Sequence, residues 1–196
     1  MKNIRRFTLV ELLVVMALIA ILSGFGFGVY SYSKTKAKQS STEALLKQID
    51  AGLSALKSNG QYPASTGTGF NVIKFEVNDT DGTVSKIDFG GETLAKQTGN
   101  DRVSRLKNER MEAFIKAVDM EVIKNQLNAG NELVDAWGNP IYYRSPGQFN
   151  KGGYDLVSAG PDGVFGKNGA AAPAGTDVTI FRETTGGHLC DDVFTF

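Results

Sequence analysis

An uncharged stretch of 19 residues, from Leu12 to Tyr30, constrains this chain most, because few folds can accommodate it. At 1.5 Å per residue, a helix of that length measures about 28 Å, close to the hydrocarbon thickness of a bilayer. A secretory signal peptide has a shorter apolar region and a cleavage site between small residues, and no such site follows here. The stretch therefore predicts a membrane-spanning helix. Charge does not fix its orientation, because three basic residues precede it and three lysines follow it closely.

Composition excludes several function classes. Lys and Arg total 21 and Asp and Glu total 21, so the chain lacks the broad positive field that nucleic-acid binding normally needs. The single cysteine, Cys190, cannot form an internal disulfide, and with a single histidine, His188, it argues against a zinc site or a thiol–imidazole pair. No pattern typical of a catalytic triad or a redox site stands out, so the sequence predicts a protein that is not an enzyme.

Glu11 lies at the edge of the uncharged stretch and is the informative polar residue there. A carboxylate inside the apolar edge of a membrane helix costs several kcal/mol unless it is paired or hydrated, so it is a functional candidate by default. The alternative is that Glu11 sits at the headgroup level and simply faces water. The physics of the residue alone leaves both open.

Residues 7–13, Phe-Thr-Leu-Val-Glu-Leu-Leu, resemble the prepilin signature of the type IV pilins and type II secretion pseudopilins. In that family a dedicated peptidase cleaves before the Phe and methylates the new amine. The Glu at the fifth mature position pairs with the amine of a neighbouring subunit. The resemblance implies cleavage between Arg6 and Phe7, N-methylation of Phe7, and Glu11 as the pairing carboxylate. Arg6 stands where the family almost always has Gly.

Helical spacing continues beyond the uncharged stretch. Asn59-Gly60 and the following Pro63 are typical of a helix end. We therefore predict a near-continuous helix from about Phe7 to Ser58, about 78 Å long, whose second half is amphipathic and packs on another element. The pattern lasts too few turns to favour a coiled coil. Its apolar positions recur at three- and four-residue steps: Ala44, Leu45, Ile49, Leu53 and Leu56.

The middle of the chain predicts a β-hairpin and a second helix. Residues 70–77 and 83–89 alternate between apolar and polar around the turn signal Asp79-Thr80-Asp81-Gly82. Residues 101–128 are charged and amphipathic, which favours a helix. The resembled family usually runs more directly from its first helix to its sheet, so residues 68–130 are interpreted as an insertion.

The C-terminal third carries a second resemblance, to the major pseudopilin of type II secretion. It rests on Asp135-Ala136-Trp137-Gly138-Asn139-Pro140 and on the stretch from Tyr154 to Gly163, over about residues 135–180. Strands are predicted at 141–144 and 154–158, with a possible last strand at 193–196. In the resembled protein the following loop binds calcium.

The matching carboxylates for such a calcium site are Asp162 and Asp177. Calcium takes six to eight oxygen ligands, mixing carboxylates and carbonyls, so loop carbonyls would have to complete the set. The alternative is that Pro161-Asp162-Gly163 forms a plain turn and that Asp177 caps or is solvated.

Together these features predict an α+β fold, in which a long N-terminal helix packs on a small antiparallel sheet with a glycine-rich C-terminal loop, as in pilins. The predicted segments are a leader (1–6), a membrane and filament-core helix (7–30), an amphipathic continuation with a linker (31–67), the insertion (68–130) and the C-terminal sheet with its loop (131–196).

The predicted function is that of a structural subunit of a type II secretion pseudopilus or a related pilus. The resemblance implies a single-pass anchor in the bacterial inner membrane, a periplasmic head, and a filament in the periplasm or at the cell surface. The implied partners are other copies of the chain, minor pilins, a prepilin peptidase, an assembly ATPase and a platform membrane protein. The alternative is a membrane-anchored binding module that does not polymerise.

Overall fold

The computed structural model describes residues 8–58, 60–67, 69–78, 82–165 and 193–195, without the side chains of 24–29 and 193–195. The chain divides into two compact units, Met1–Lys38 and Gln39–Phe196. Helix α1 runs from Leu9 to Leu56 and contributes to both units. The predicted helix over 7–58 is therefore confirmed to within two residues at each end.

The second unit combines the last part of α1 with two antiparallel sheets and two shorter helices. One sheet has the strand order β1-β5-β6-β7 and the other β2-β3-β4. This confirms the predicted α+β class, with two small sheets in place of the one that was expected. The elements after α1 are β1 (Asn71–Val72), β2 (Lys74–Val77), β3 (Val84–Asp88), β4 (Thr93–Ala95), α2 (Arg102–Ala117), α3 (Met120–Asn125), β5 (Ile141–Arg144), β6 (Asp155–Ser158), a 3-10 turn (Gly160–Asp162) and β7 (Val193–Thr195).

The predicted hairpin is confirmed, but its first strand is divided. β2 pairs with β3, whereas β1 pairs with β5 of the other sheet. Between them lies Ile73, which is fully buried; its N–H donates to Ile141 O at 3.4 Å and its carbonyl accepts from Leu133 N at 2.9 Å. One extended segment thus serves both sheets. The predicted turn residues 79–81 lie outside the described residues.

The single helix predicted within 101–128 is wrong, because α2 ends at Ala117 and α3 begins at Met120. The Asp119 carboxylate caps the second helix by accepting from Glu121 N at 3.0 Å and Val122 N at 3.4 Å. An Asp at this position accepts hydrogen bonds from backbone N–H groups and so caps a new helix. This capping competes with continuation of the preceding helix. Asp101 caps α2 in the same way.

The core joins α1 to both sheets through aromatic side chains. Phe75, Phe89, Phe114 and Tyr143 are fully buried. The ring of Phe89 lies 6.2 Å from that of Phe114 and 5.5 Å from that of Tyr143, between centroids. Residues of the 68–130 segment therefore belong to the same core as the long helix and the C-terminal sheet. The segment boundaries themselves stay predictions.

Gly52 allows α2 to approach α1 closely. A Cβ atom at position 52 would lie 2.5 Å from Cε2 of Phe114 and 2.8 Å from Cγ1 of Val118. Contacts below 3 Å require one of the partners to move, so this mid-helix glycine has a packing reason.

We predict that Gly52→Ala lowers the melting temperature. Helix propensity alone would favour Ala by about 1 kcal/mol, but overpacking of a filled core costs about 1–3 kcal/mol. Ala51→Gly, at the exposed neighbouring position, isolates the propensity effect. Thermal denaturation followed by circular dichroism measures both variants; a higher melting temperature for Gly52→Ala would contradict the packing account.

Candidate functional site

The first unit exposes apolar side chains on every side of its helix. Eleven large apolar residues between Leu9 and Leu22 have exposed fractions of 48–79%. A helix that is apolar all round is normally covered by lipid or by other protein, so this surface requires a cover from outside its own unit. Among the described residues, no helix combines the length and the hydropathy that are typical of a membrane span.

Thr8 and Glu11 form a capping box at the start of α1. Glu11 Oε2 accepts from Thr8 N at 2.8 Å and from Thr8 Oγ1 at 2.9 Å, and Glu11 N donates to Thr8 Oγ1 at 3.3 Å. These contacts satisfy backbone N–H groups that the first helical turn leaves without partners. The sequence analysis missed this role, although the Thr-x-x-Glu pattern signals it. The predicted processing residues Arg6 and Phe7 lie outside the described residues.

Asp135, the first residue of the Asp-Ala-Trp-Gly-Asn-Pro motif, is almost fully buried and organises the turn before β5. Its Oδ1 accepts from Trp137 N at 2.8 Å and Asn139 N at 2.9 Å, and its Oδ2 accepts from the Ser158 hydroxyl at 2.6 Å. A buried carboxylate is stable only when it is hydrogen-bonded in this way. The motif thus joins the turn to the end of β6.

The same turn contacts α1 and the 3-10 turn. Ala136 N donates to the buried Thr42 hydroxyl of α1 at 3.2 Å, and Asn139 Nδ2 donates to Gly160 O at 2.7 Å. Gly163, with φ of +74°, adopts the left-handed conformation that favours glycine, and a Cβ there would lie 3.1 Å from Asn139 Oδ1. Residues 160–163 are therefore fixed to the motif rather than held by their own packing.

Asp155 is the second buried carboxylate and organises the loop between β5 and β6. Its Oδ2 accepts from Phe149 N at 3.0 Å and its Oδ1 accepts from Asn150 N at 3.0 Å. Sequence analysis assigned no role to Asp155 or Asp135. A signal was available, because an acidic residue at the start of a strand that is buried throughout must have internal hydrogen-bond donors.

Tyr143 in β5 and Tyr154, directly before β6, donate hydrogen bonds to the linker after α1 and to α1 itself. Tyr143 donates to Pro63 O at 2.6 Å, and Tyr154 donates to the Asp50 carboxylate of α1. Burial raises the pKa of both hydroxyls well above the ordinary value, and Asp50 raises the pKa of Tyr154 further. Both groups therefore remain protonated donors at any physiological pH.

Asp162, one of the two predicted calcium ligands, is exposed at the end of the 3-10 turn, and its Oδ1 accepts from Val164 N at 3.0 Å. This hydrogen bond agrees with the alternative in which Asp162 is part of a plain turn. Asp177 lies outside the described residues, so the two carboxylates cannot be compared in space. Among the described residues, no three His, Cys, Asp or Glu side chains cluster as metal ligands.

Comparisons with known proteins match both ends of the chain. The family model for the type II secretion system protein G matches residues 106–176, and the model for the prokaryotic N-terminal methylation motif matches residues 1–27. The type II secretion system core protein G of Pseudomonas aeruginosa is 29% identical over 161 residues, which cover 82% of this chain and 85% of that protein. The chain is therefore similar to the type II secretion pseudopilins over most of its length, and its N-terminus resembles that of the prepilins.

The matched ranges of this pilin-like chain contain most of the site residues described above. Glu11 lies in the N-terminal match, and Asp135, Asp155 and Asp162 lie in the C-terminal one, which ends one residue before Asp177. Strands β1 to β4, over residues 71–95, lie between the two matches. No solved structure matches the chain.

We predict that Asp135→Ala destabilises the pilin-like head by about 3 kcal/mol, because it leaves the buried Ser158 hydroxyl and the half-buried N–H groups of Trp137 and Asn139 without their acceptor. Asp162→Ala removes an exposed carboxylate that accepts one backbone hydrogen bond. Measured in chelator, it should lower the free energy of unfolding far less than Asp135→Ala does. Urea denaturation of both variants gives the two free energies of unfolding; equal values would contradict the organising role of Asp135.

Proposed function

We propose that this chain is a structural subunit of a type II secretion pseudopilus or a closely related filament, with an assembling rather than a catalytic role. The observation that carries the proposal is the relation to the core protein G of P. aeruginosa over 82% of the chain, together with the N-terminal methylation motif at residues 1–27. The exposed apolar surface of the first unit supports it, since a filament needs a surface that only neighbouring subunits or lipid can cover.

In this proposal, residues 7–30 anchor the subunit in the bacterial inner membrane before assembly and form the filament core afterwards. The head lies in the periplasm, and the filament lies there or at the cell surface. Assembly involves a prepilin peptidase, an ATPase, a platform membrane protein, minor pilins and further copies of this chain. Each of these partners is proposed from the similarity of the chain to that family.

Processing is the first step of this proposal. A peptidase hydrolyses the peptide bond between Arg6 and Phe7, which gives the leader a free carboxylate and Phe7 a free amine. A methyl group is then transferred to that amine from a methyl-donor cosubstrate, and the amine loses one proton. The product carries a cationic amine four residues before Glu11 at the start of α1. A cation and a carboxylate in the same region of low dielectric stabilise one another when they come from neighbouring subunits.

We predict that the native chain begins at Phe7 with an N-methyl group; removing the leader of six residues from 196 leaves 190. Intact-mass spectrometry of the protein from native membranes measures this directly. Arg6→Gly places the family's usual residue before the cleavage site and should be processed at least as completely. A native protein that is found only with its Met1 start would contradict the processing step.

Glu11 is the proposed docking carboxylate. Its present donors, the N–H and the hydroxyl of Thr8, are neutral. The amine of an incoming subunit would offer a charge-assisted hydrogen bond, which is roughly twice as strong as a neutral one. Exchange of one donor for the other would therefore favour the assembled state without any change in the fold of α1.

We predict that Glu11→Gln leaves membrane association intact but lowers the yield of cross-linked oligomers several-fold. The amide keeps the acceptor oxygen for Thr8 and removes the charge for the amine. Glu43→Gln is the matched control, because Glu43 is an exposed glutamate on the same helix, in the second unit. Chemical cross-linking in native membranes, followed by gel electrophoresis, measures the yield, and wild-type ladders from Glu11→Gln would rule out charge pairing as the docking force.

Calcium is proposed as the ligand of the C-terminal loop, held by Asp162 and Asp177. Asp162 is exposed and has one oxygen bonded to Val164 N, so its carboxylate can still serve as a monodentate ligand. A bound cation would tie down a glycine-rich loop whose ordering is otherwise entropically costly.

We predict that calcium raises the melting temperature of the protein. For an affinity in the range of extracellular modules, near 0.5 mM, about 5 mM calcium contributes about 1.4 kcal/mol, or about 3–5 °C. Asp162→Ala should abolish the difference between calcium and chelator, and magnesium should substitute poorly because it demands octahedral geometry. Identical melting curves in calcium and chelator would leave the plain turn as the role of Asp162.

A further inference from the structure

A solvent-accessible groove lies in the second unit, between α2, α3 and the start of β3. Its volume is about 360 Å³. That is within the range of small-molecule sites. Its lining residues are Gly82, Thr83, Val84, Lys96, Asn108, Met111, Glu112, Ile115, Met120 and Lys124.

The floor of the groove is apolar. Met111 and Val84 are 4% and 5% exposed, and Ile115 and Met120 pack at the edge of the core. The α2 residues of the lining stand at positions 108, 111, 112 and 115, which is the spacing of one helix face. Methionine side chains adapt their shape to irregular apolar ligands, so this floor suits an acyl chain or an aromatic ring.

Two of the lining residues are lysines, Lys96 and Lys124. Lys96 directly precedes Gln97, whose backbone N–H donates to Asn108 Oδ1 at 2.8 Å and whose carbonyl accepts from Asn108 Nδ2 at 2.9 Å. The Nζ of Lys124 is 3.2 Å from the position that a Cβ of Gly82 would occupy. From Asn108 to Ile115 the helix rises about 10 Å.

The charges of the lining favour an anion. The lining contains two lysines and one glutamate, Glu112, and none of the salt bridges between described residues involves either lysine. Asn108 is already engaged with Gln97, so the lysine ammonium groups are the donors that remain for a ligand. Beside an apolar floor, an ammonium–carboxylate pair is stronger than in bulk water.

We propose that this groove binds a small amphipathic anion, a carboxylate on a short acyl chain or aromatic ring, whose apolar part lies on Met111 and Ile115 and whose carboxylate pairs with a lysine. The site combines helix residues inside the C-terminal family match with hairpin residues outside both matches. It does not depend on the filament role of the chain.

The test uses the full chain in nanodiscs of zwitterionic lipid with hexanoate as the probe, titrated by saturation-transfer difference NMR. Hexylammonium and hexanol carry the same chain without the negative charge, and acetate carries the charge without the chain. The double variant Lys96→Gln/Lys124→Gln removes both cations. Lys116→Gln, an exposed lysine of α2 outside the groove, is the matched control, and Ile115→Phe fills the apolar floor. Comparison between nanodiscs that carry the different variants corrects for the partition of hexanoate into the lipid.

We expect hexanoate to bind the wild type and the Lys116→Gln variant alike, and to bind the double lysine variant about tenfold more weakly. Ile115→Phe should abolish binding while the melting temperature stays near that of the wild type. The proposal would be overturned if hexylammonium bound with the same affinity as hexanoate. It would also be overturned if the double variant bound hexanoate with unchanged affinity. Absence of hexanoate binding together with loss of cross-linked oligomers in the double variant would overturn it too, and would assign the groove to another protein.

Discussion

The packing of one face of α1 against the two sheets is the interaction on which the rest of the structure depends. Leu46, Ile49 and Leu53 are fully buried on that face. Burying a side chain of this size contributes about 1.5–3 kcal/mol, and Gly52 brings Phe114 close enough to complete the contact. The turn before β5 and the loop between β5 and β6 are instead held by hydrogen bonds to the buried carboxylates of Asp135 and Asp155.

One helix therefore meets two different physical demands. Its C-terminal part repeats apolar residues with helical periodicity, and these side chains are buried in the core of the second unit. Its N-terminal part is apolar without periodicity, and its side chains remain exposed in the first unit. The capping box of Thr8 and Glu11 stabilises the helix start without covering that surface. In such a chain the second unit has its own buried core, whereas the apolar surface of the first unit is left without a cover. An assembling subunit has to meet both of these conditions.

Local patterns predicted the elements well, and long-range pairing explains what they missed. The helix over 9–56 and strand β5 follow from periodicity and turn residues in the sequence. The division of the first hairpin strand at Ile73 could not be predicted, because it depends on a partner strand about 70 residues away. The break before Asp119 was predictable only from its capping carboxylate. The hydrogen bond between Asp135 and Ser158 could not be predicted, because it depends on how the fold places two residues that are far apart in the sequence. The predicted partner of Asp162 lies outside the described residues.

Whether this chain works as a filament subunit is tested most directly by its location in native cells. Filaments are sheared from cells or released from the periplasm and labelled with gold-coupled antibody against the head, then viewed by electron microscopy. We expect regular labelling along thin filaments and loss of the filaments when the gene for this chain is deleted. Label confined to the membrane fraction, with filaments unlabelled or unaffected by the deletion, would contradict it.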